Sequence, residues 1–211
     1  MPEIQNTNIT DLINKVEKGI IKIPQFQRDF IWSKNKSASL IDSIIKGYPM
    51  GTFIIWKTKE HLRTVRNIGD LLLKPVPKGE FVNYVLDGQQ RLTSIFATIK
   101  GEKIKRKNNN EDFSNIYIDL DAEKSELIVV TSREKGFENT YIQLKILLYG
   151  GLTELTKFPE KYHHKIEKYK SAIKNYPIPL LIIEDEPIDI ATEIFTRINV
   201  GGKPLTIFEV M

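Results

Sequence analysis

Apolar positions along the chain change their period several times, and each change marks an element. Leu12, Ile13 and Val16 share one helical face, between Thr10 as an N-cap and Gly19 as a stop. Ile20–Ile23 reads as a brief strand halted by Pro24. Ser33 is placed to cap a second helix, whose Leu40, Ile41, Ile44 and Ile45 form a stripe ending before Gly47. Thr52–Lys57 is rich in β-formers, and Val82, Tyr84 and Leu86 alternate within Phe81–Leu86. From Gln90 the period returns to that of a helix, through Leu92, Ile95, Phe96 and Ile99 to Gly101. Ile116–Leu120 and Leu127–Thr131 flank Asp121–Ser125 as a β-hairpin. Helices are expected at 141–149 and 160–174, a buried strand at 178–183, and a helix near Ile188–Ile198.

No period of 20–50 residues recurs, so a repeat architecture is excluded. Strands and helices mixed at irregular spacing predict an α/β (α+β) fold. The order of elements suggests a core at 1–135 and a helical extension at 136–211 that holds the strand at 178–183. After Gly201 and Gly202, Thr206 caps a helix with room for one turn, too short to stand alone, so the chain reads as a piece of something longer.

The 211 residues are 41% hydrophobic and 27% charged, a globular balance. Lys and Arg number 31 against 27 Asp and Glu, so the net charge of +4 permits an anionic partner without demanding one. The absence of cysteine excludes disulfides, thiolate metal sites and a cysteine nucleophile, and agrees with a cytoplasmic setting. The first ten residues lack the basic and apolar regions of a signal peptide. The longest apolar runs, Phe53–Trp56 and Ile178–Ile183, are far below the ~20 residues of a membrane span, so no membrane partner is expected.

Charge is unevenly spread. Lys100–Lys107 holds five bases against Glu102, and Lys157–Lys174 six lysines against Glu160 and Glu167. Between Glu184 and Glu193 there are five acids and no base. The basic runs read either as phosphate attractors or as a solvated loop over 100–112 and a wet helix face.

Three segments carry candidate chemistry. In Ile23–Trp32, Gln25, Gln27 and Arg28 offer planar donors and Phe26, Phe30 and Trp32 offer rings. These suit phosphate or base recognition, or else the rings plug a core and Arg28 pairs with an acid. Asp87-Gly88-Gln89-Gln90-Arg91 lies between a strand and a helix, where helix N–H groups attract anions. Gly88 permits close backbone approach there, Arg91 is a phosphate clamp, and Asp87 is either an N-cap or a carboxylate for Mg2+ or water. Phe195–Leu205 surrounds a glycine pair with Arg197, Asn199 and Lys203. That is either a phosphate-wrapping turn or a plain helix-to-helix turn, and it lacks the Walker spacing.

In order, IPQFQRDFIW, LIDSIIKGYPMGTFIIW, YVLDGQQRLTSI and FTRINVGGKPLTIFE resemble the N-terminal domain of GmrSD-type, modification-dependent (type IV) restriction enzymes. The resemblance spans about residues 10–211 and implies a ParB/sulfiredoxin-like fold that binds and hydrolyses nucleoside triphosphate with Mg2+. It further implies coupling to recognition of foreign or modified phage DNA and to a C-terminal His-Asn-His nuclease domain. On this chain it marks Asp87, Gln90 and Arg91 as catalytic, with Asp87 also the metal carboxylate. Gln27, Arg28, Gly88, Gln89, Arg197 and Asn199 are marked as nucleotide-binding, and Gly201 and Gly202 belong to the same downstream motif as Arg197 and Asn199. Only His61, His163 and His164 are present, and the last two point about 100° apart on a helix, so no nuclease site is expected here. The alternative is a non-catalytic module that senses DNA modification, with Phe26, Phe30 and Trp32 stacking on bases; a scaffold without ligand is the third reading.

Overall fold

The computed structural model describes residues 2–24, 27–62, 65–66, 74–77, 79–105 and 110–198. The first elements are β1 (Glu3–Asn8), α1 (Ile9–Glu17), β2 (Ile21–Pro24), α2 (Lys34–Lys46), β3 (Phe53–Thr58), β4 (Val65–Arg66), β5 (Val82–Asp87) and α3 (Gln89–Lys100). They are followed by β6 (Lys103–Lys105), β7 (Asn110–Asp112), β8 (Tyr117–Asp119), β9 (Val129–Val130), β10 (Tyr141–Gln143) and α4 (Leu144–Tyr149). The last are α5 (Leu152–Leu155), α6 (His163–Lys174), β11 (Pro177–Glu184) and α7 (Ile188–Ile198). The α/β class read from the sequence is what the chain adopts.

The described residues fall into two compact units. The first draws on Met1–Phe30, Gly51–Gln89 and Pro177–Met211, the second on Ile31–Met50 and Gln90–Tyr176. The chain therefore crosses four times, and a single boundary near 135 does not describe it.

The first unit is built on a six-stranded mixed sheet in the order β1-β11-β3-β5-β2-β4. The strand expected at 178–183 is thus internal to this sheet, parallel to β3 and antiparallel to β1. Its near-continuous apolar run fits a strand flanked on both sides. β2 and β5 run parallel, with Ile21 opposite Asn83 and Lys22 opposite Tyr84. α1 packs beside β1 and β2 and buries Ile9, Leu12, Ile13 and Val16. Its cap is Asn8, whose side chain accepts the Asp11 N–H, so Thr10 lies inside the helix. α7 covers the other part of the core, where Ala191 joins Trp56, Val82, Tyr84, Leu86 and Ile183.

The second unit gathers α2, nearly all of α3, α4 to α6 and two small sheets, β10-β8-β9 and β6-β7. Ser33 caps α2 and Gly47 closes it. Asp42 fastens that helix to the hairpin by accepting the N–H groups of Ile128 and Val129 while pairing with Lys46 at 2.6 Å. The β8–β9 hairpin forms as expected, with Ile118 opposite Val129. Tyr141–Gln143, expected as the first turn of a helix, pairs with β8 instead, because that edge was open. The segment expected as a loop over 100–112 contains the β6–β7 pairing. α6 follows a 3-10 turn at Glu160–Tyr162 and is less wet than its lysines suggest. Lys165 donates to the carbonyls of Leu120 and Ala122, at 2.7 and 2.8 Å. No helix among the described residues is long and apolar enough to cross a membrane.

Candidate functional site

The parallel pairing of β2 with β5 sends two motifs out of the same end of the first unit's sheet. Asp87 closes β5, and the loop carrying Gln27 and Arg28 follows β2. Open α/β sheets place ligands outside the carboxyl ends of their strands. Gln27 is buried, and its Nε2 donates to the carbonyls of Val85 and Leu86 at 2.6 and 3.0 Å. The side-chain amide thus replaces a missing strand, satisfying two carbonyls at the end of β5. Gln27 holds the first motif onto the second.

The turn after β5 is set by Gly88, with φ at +97°. A Cβ there would stand 2.5 Å from Cδ1 of Phe53. The close approach that only glycine allows is therefore made to the Phe53 ring. Opposite Asp87, the β3–β5 register slips between Ile54 and Ile55, a bulge of the kind that re-aims side chains near sites. Asp87 is half-buried and Gln89 buried. From the third motif, Phe195 of α7 packs against the cluster that includes Tyr84 and Leu86 of β5, as does Ile194 just before it. All three motifs are thus anchored on one strand.

Arg197 does not join them. Its guanidinium is exposed and pairs with Glu193 at 2.6 Å, one turn back on α7. Arg28 is exposed. Phe26, Asn199, Gly201, Gly202 and Lys203 lie outside the described residues.

In the second unit, Gln90 and Arg91 form the first turn of α3. Gln90 is buried, and its Oε1 accepts the Ile31 N–H at 2.9 Å. Arg91 donates from Nη1 to the Met50 carbonyl at 2.7 Å. Met50 is itself held by Tyr176, whose hydroxyl accepts the Met50 N–H at 3.2 Å and donates to the Tyr48 carbonyl at 2.7 Å. The Met50 carbonyl thus helps to orient the Arg91 fork. Tyr176 lies in none of the runs that carry the resemblance, and Met50, although inside LIDSIIKGYPMGTFIIW, was not marked as a site residue. Trp32 is half-buried, with the Lys36 ammonium 4.3 Å from its ring centroid. Among the described residues no group of three His, Asp or Glu side chains could hold a metal ion.

Residues 9–211 match the model of the GmrSD restriction endonuclease N-terminal domain. The chain belongs to this family. The assignment reaches across both units and includes every motif described above. A relative in Methanocaldococcus jannaschii, an uncharacterized protein, is 24% identical over 241 aligned residues covering 97% of this chain. The chain spans 40% of that relative's length.

Proposed function

We propose that this domain binds and hydrolyses a nucleoside triphosphate, with the Asp87–Arg91 segment holding the phosphates. In the full-length protein, hydrolysis gates a His-Asn-His nuclease domain that acts on modified phage DNA. The observation that supports this best is the Gln27 amide locked on the Val85 and Leu86 carbonyls. It fixes the Gln27–Arg28 loop beside the strand end from which Asp87 and the α3 N-terminus emerge.

Arg91 neutralises phosphate charge, and Asp87 orients the attacking water or a Mg2+ ion. Gln27 and Gln90 position the backbone, and Gln89 and Gly88 shape the turn. Arg28, which is exposed, closes over the ligand, whereas Arg197 has to leave Glu193 first. The donor set fits Mg2+ as an ion brought by the phosphates, with Asp87 the one carboxylate of the segment, since Mg2+ keeps several waters and takes few protein ligands.

Thermal unfolding with Mg2+ and each of the four NTPs, wild type beside Arg91→Ala, tests the reading. Ligand at ~100 times its dissociation constant stabilises by about 2.7 kcal/mol. That is roughly 5–10 °C in Tm for a chain of this size. The shift is expected for wild type and lost in Arg91→Ala, each measured against its own ligand-free Tm because Arg91 also holds Met50. Phosphate release is expected to fail in Asp87→Asn while binding persists. No shift with any NTP, together with DNA affinity that falls steeply with salt, would replace this reading by the DNA-binding module.

A further inference from the structure

The positive charge of the chain belongs to its second unit. That unit carries 19 Lys and Arg against 13 Asp and Glu, whereas the first carries 12 against 14. Five of the 19 lie on α6 and the 3-10 turn that leads into it, beside His163 and His164 and against only Glu160 and Glu167.

The fold sorts these lysines into two kinds. Lys165 is spent on structure, because its ammonium donates to the Leu120 and Ala122 carbonyls. Lys170 is 22% exposed and lies 4.0 Å from Glu167. Lys168, by contrast, is exposed and has no acidic partner among the described residues. Lys161 is 67% exposed, and its contact with Asp121 is a loose 3.7 Å.

Ile166, Tyr169 and Ile173 are the buried residues of α6. At about 100° per residue the opposite side carries His164, Lys168, Ser171 and Asn175, all exposed, and Lys161 continues the row at its N-terminal end. The row contains no acid and no apolar side chain, and every member can donate a hydrogen bond. α6 also starts without a side-chain cap and without an acid in its first turn. The partial positive charge of the helix start therefore adds to that of Lys161 instead of being cancelled.

We propose that this outward row of α6 docks on the phosphate backbone of duplex DNA, with Lys161 and Lys168 as the phosphate contacts. The two are about 10 Å apart along the helix axis. Duplex DNA offers one negative charge per ~1.7 Å of its own axis, so a straight row of cations meets phosphates in any register. The absence of apolar and aromatic side chains from the row argues against a lipid surface or a protein groove, both of which are gripped by such anchors. The inference rests on the restriction setting of the family and gives DNA a surface outside all three motifs, leaving Asp87–Arg91 to the nucleotide.

Fluorescence anisotropy of a labelled duplex of about 20 base pairs, followed from roughly 50 to 200 mM salt, tests it. Lys161→Gln and Lys168→Gln are each expected to weaken binding about five- to tenfold near 0.1 M salt and to make the salt slope shallower by about one. Both positions are on the surface, so the ligand-free Tm is expected to stay within about two degrees of wild type. Lys18→Gln removes the same charge from the exposed end of α1 in the first unit and is expected to alter neither affinity nor slope.

Equal weakening by Lys18→Gln and Lys168→Gln would reduce the effect to net charge and overturn the proposal. So would DNA affinity that Arg91→Ala abolishes and both α6 variants retain, or phosphatidylserine vesicles bound as well as DNA through the same lysines. If the α6 variants lose DNA but keep the NTP-dependent rise in Tm, both readings stand. If no NTP shifts Tm while DNA affinity depends on Lys161 and Lys168, the α6 surface stands and the nucleotide reading falls. No DNA binding at the lowest salt overturns the α6 surface and leaves the nucleotide reading to its own test.

Discussion

Gly88 backs onto Phe53 so closely that a Cβ at position 88 would lie 2.5 Å from the ring's Cδ1 and 2.9 Å from Cε1. The backbone there also has φ at +97°, which side chains rarely adopt. Gly88→Ala is therefore expected to cost about 2–3 kcal/mol, measured by urea unfolding. An unchanged midpoint would show that Phe53 can retreat and that the turn is not set by this contact.

Gln27 gives a sharper test because its donor and its shape can be separated. Gln27→Leu leaves the Val85 and Leu86 carbonyls without their side-chain partner and is expected to lose about 1–3 kcal/mol. Gln27→Glu keeps the shape but turns a carboxylate towards two carbonyl oxygens, so at neutral pH it should unfold more readily than the leucine variant. The reverse order would deny the amide its anchoring role.

Tyr176 supports Arg91 through Met50, since one hydroxyl takes the Met50 N–H while the Met50 carbonyl takes the guanidinium. Tyr176→Phe is expected to lose about 1 kcal/mol of stability. It should also weaken nucleotide affinity several-fold, whereas restoring the hydroxyl restores both. Affinity unaltered in the phenylalanine variant would uncouple the Tyr48–Met50 loop from the site.

Tyr84 sets an alkaline limit to stability. Burial raises its phenol above the ordinary value of 10.0, with the Leu62 N–H opposing in part. The unfolded chain then ionises first, so between 10.0 and the raised folded value the native state holds more protons and stability falls as pH rises. Unfolding free energy followed across that range is expected to decline, and Tyr84→Phe to flatten the decline. Equal slopes would mean that other tyrosines carry the effect.

What was legible in advance follows from how local each signal is. Ser33, the apolar stripe of α2 and Gly47 lie within one helix, so caps and period locate it. The same holds for α7 and for the alternation of Val82, Tyr84 and Leu86. β10 was misread because Tyr141-Ile142-Gln143 has no strand signature of its own; it is a strand because Asp119, Ile118 and Tyr117 stand opposite it. β1 escaped notice for the same reason: it is mostly exposed and is held by its pairing with β11.

The site divides in the same way. Order and spacing of IPQFQR, DGQQR and FTRIN were enough to identify the family, because those residues are contiguous in the chain. Their division of labour was not available there. Gln27 reads from its neighbours as a ligand donor, but the carbonyls it serves are 58 and 59 residues away. Arg197 reads from its neighbours as a phosphate cation, and its pairing with Glu193 one turn back is seen only in the folded helix. Only the parallel pairing of β2 with β5 sends the Gln27 loop and Asp87 out of the same end of the sheet, because sheet register is fixed by which distant strands meet and not by the residues of either strand alone.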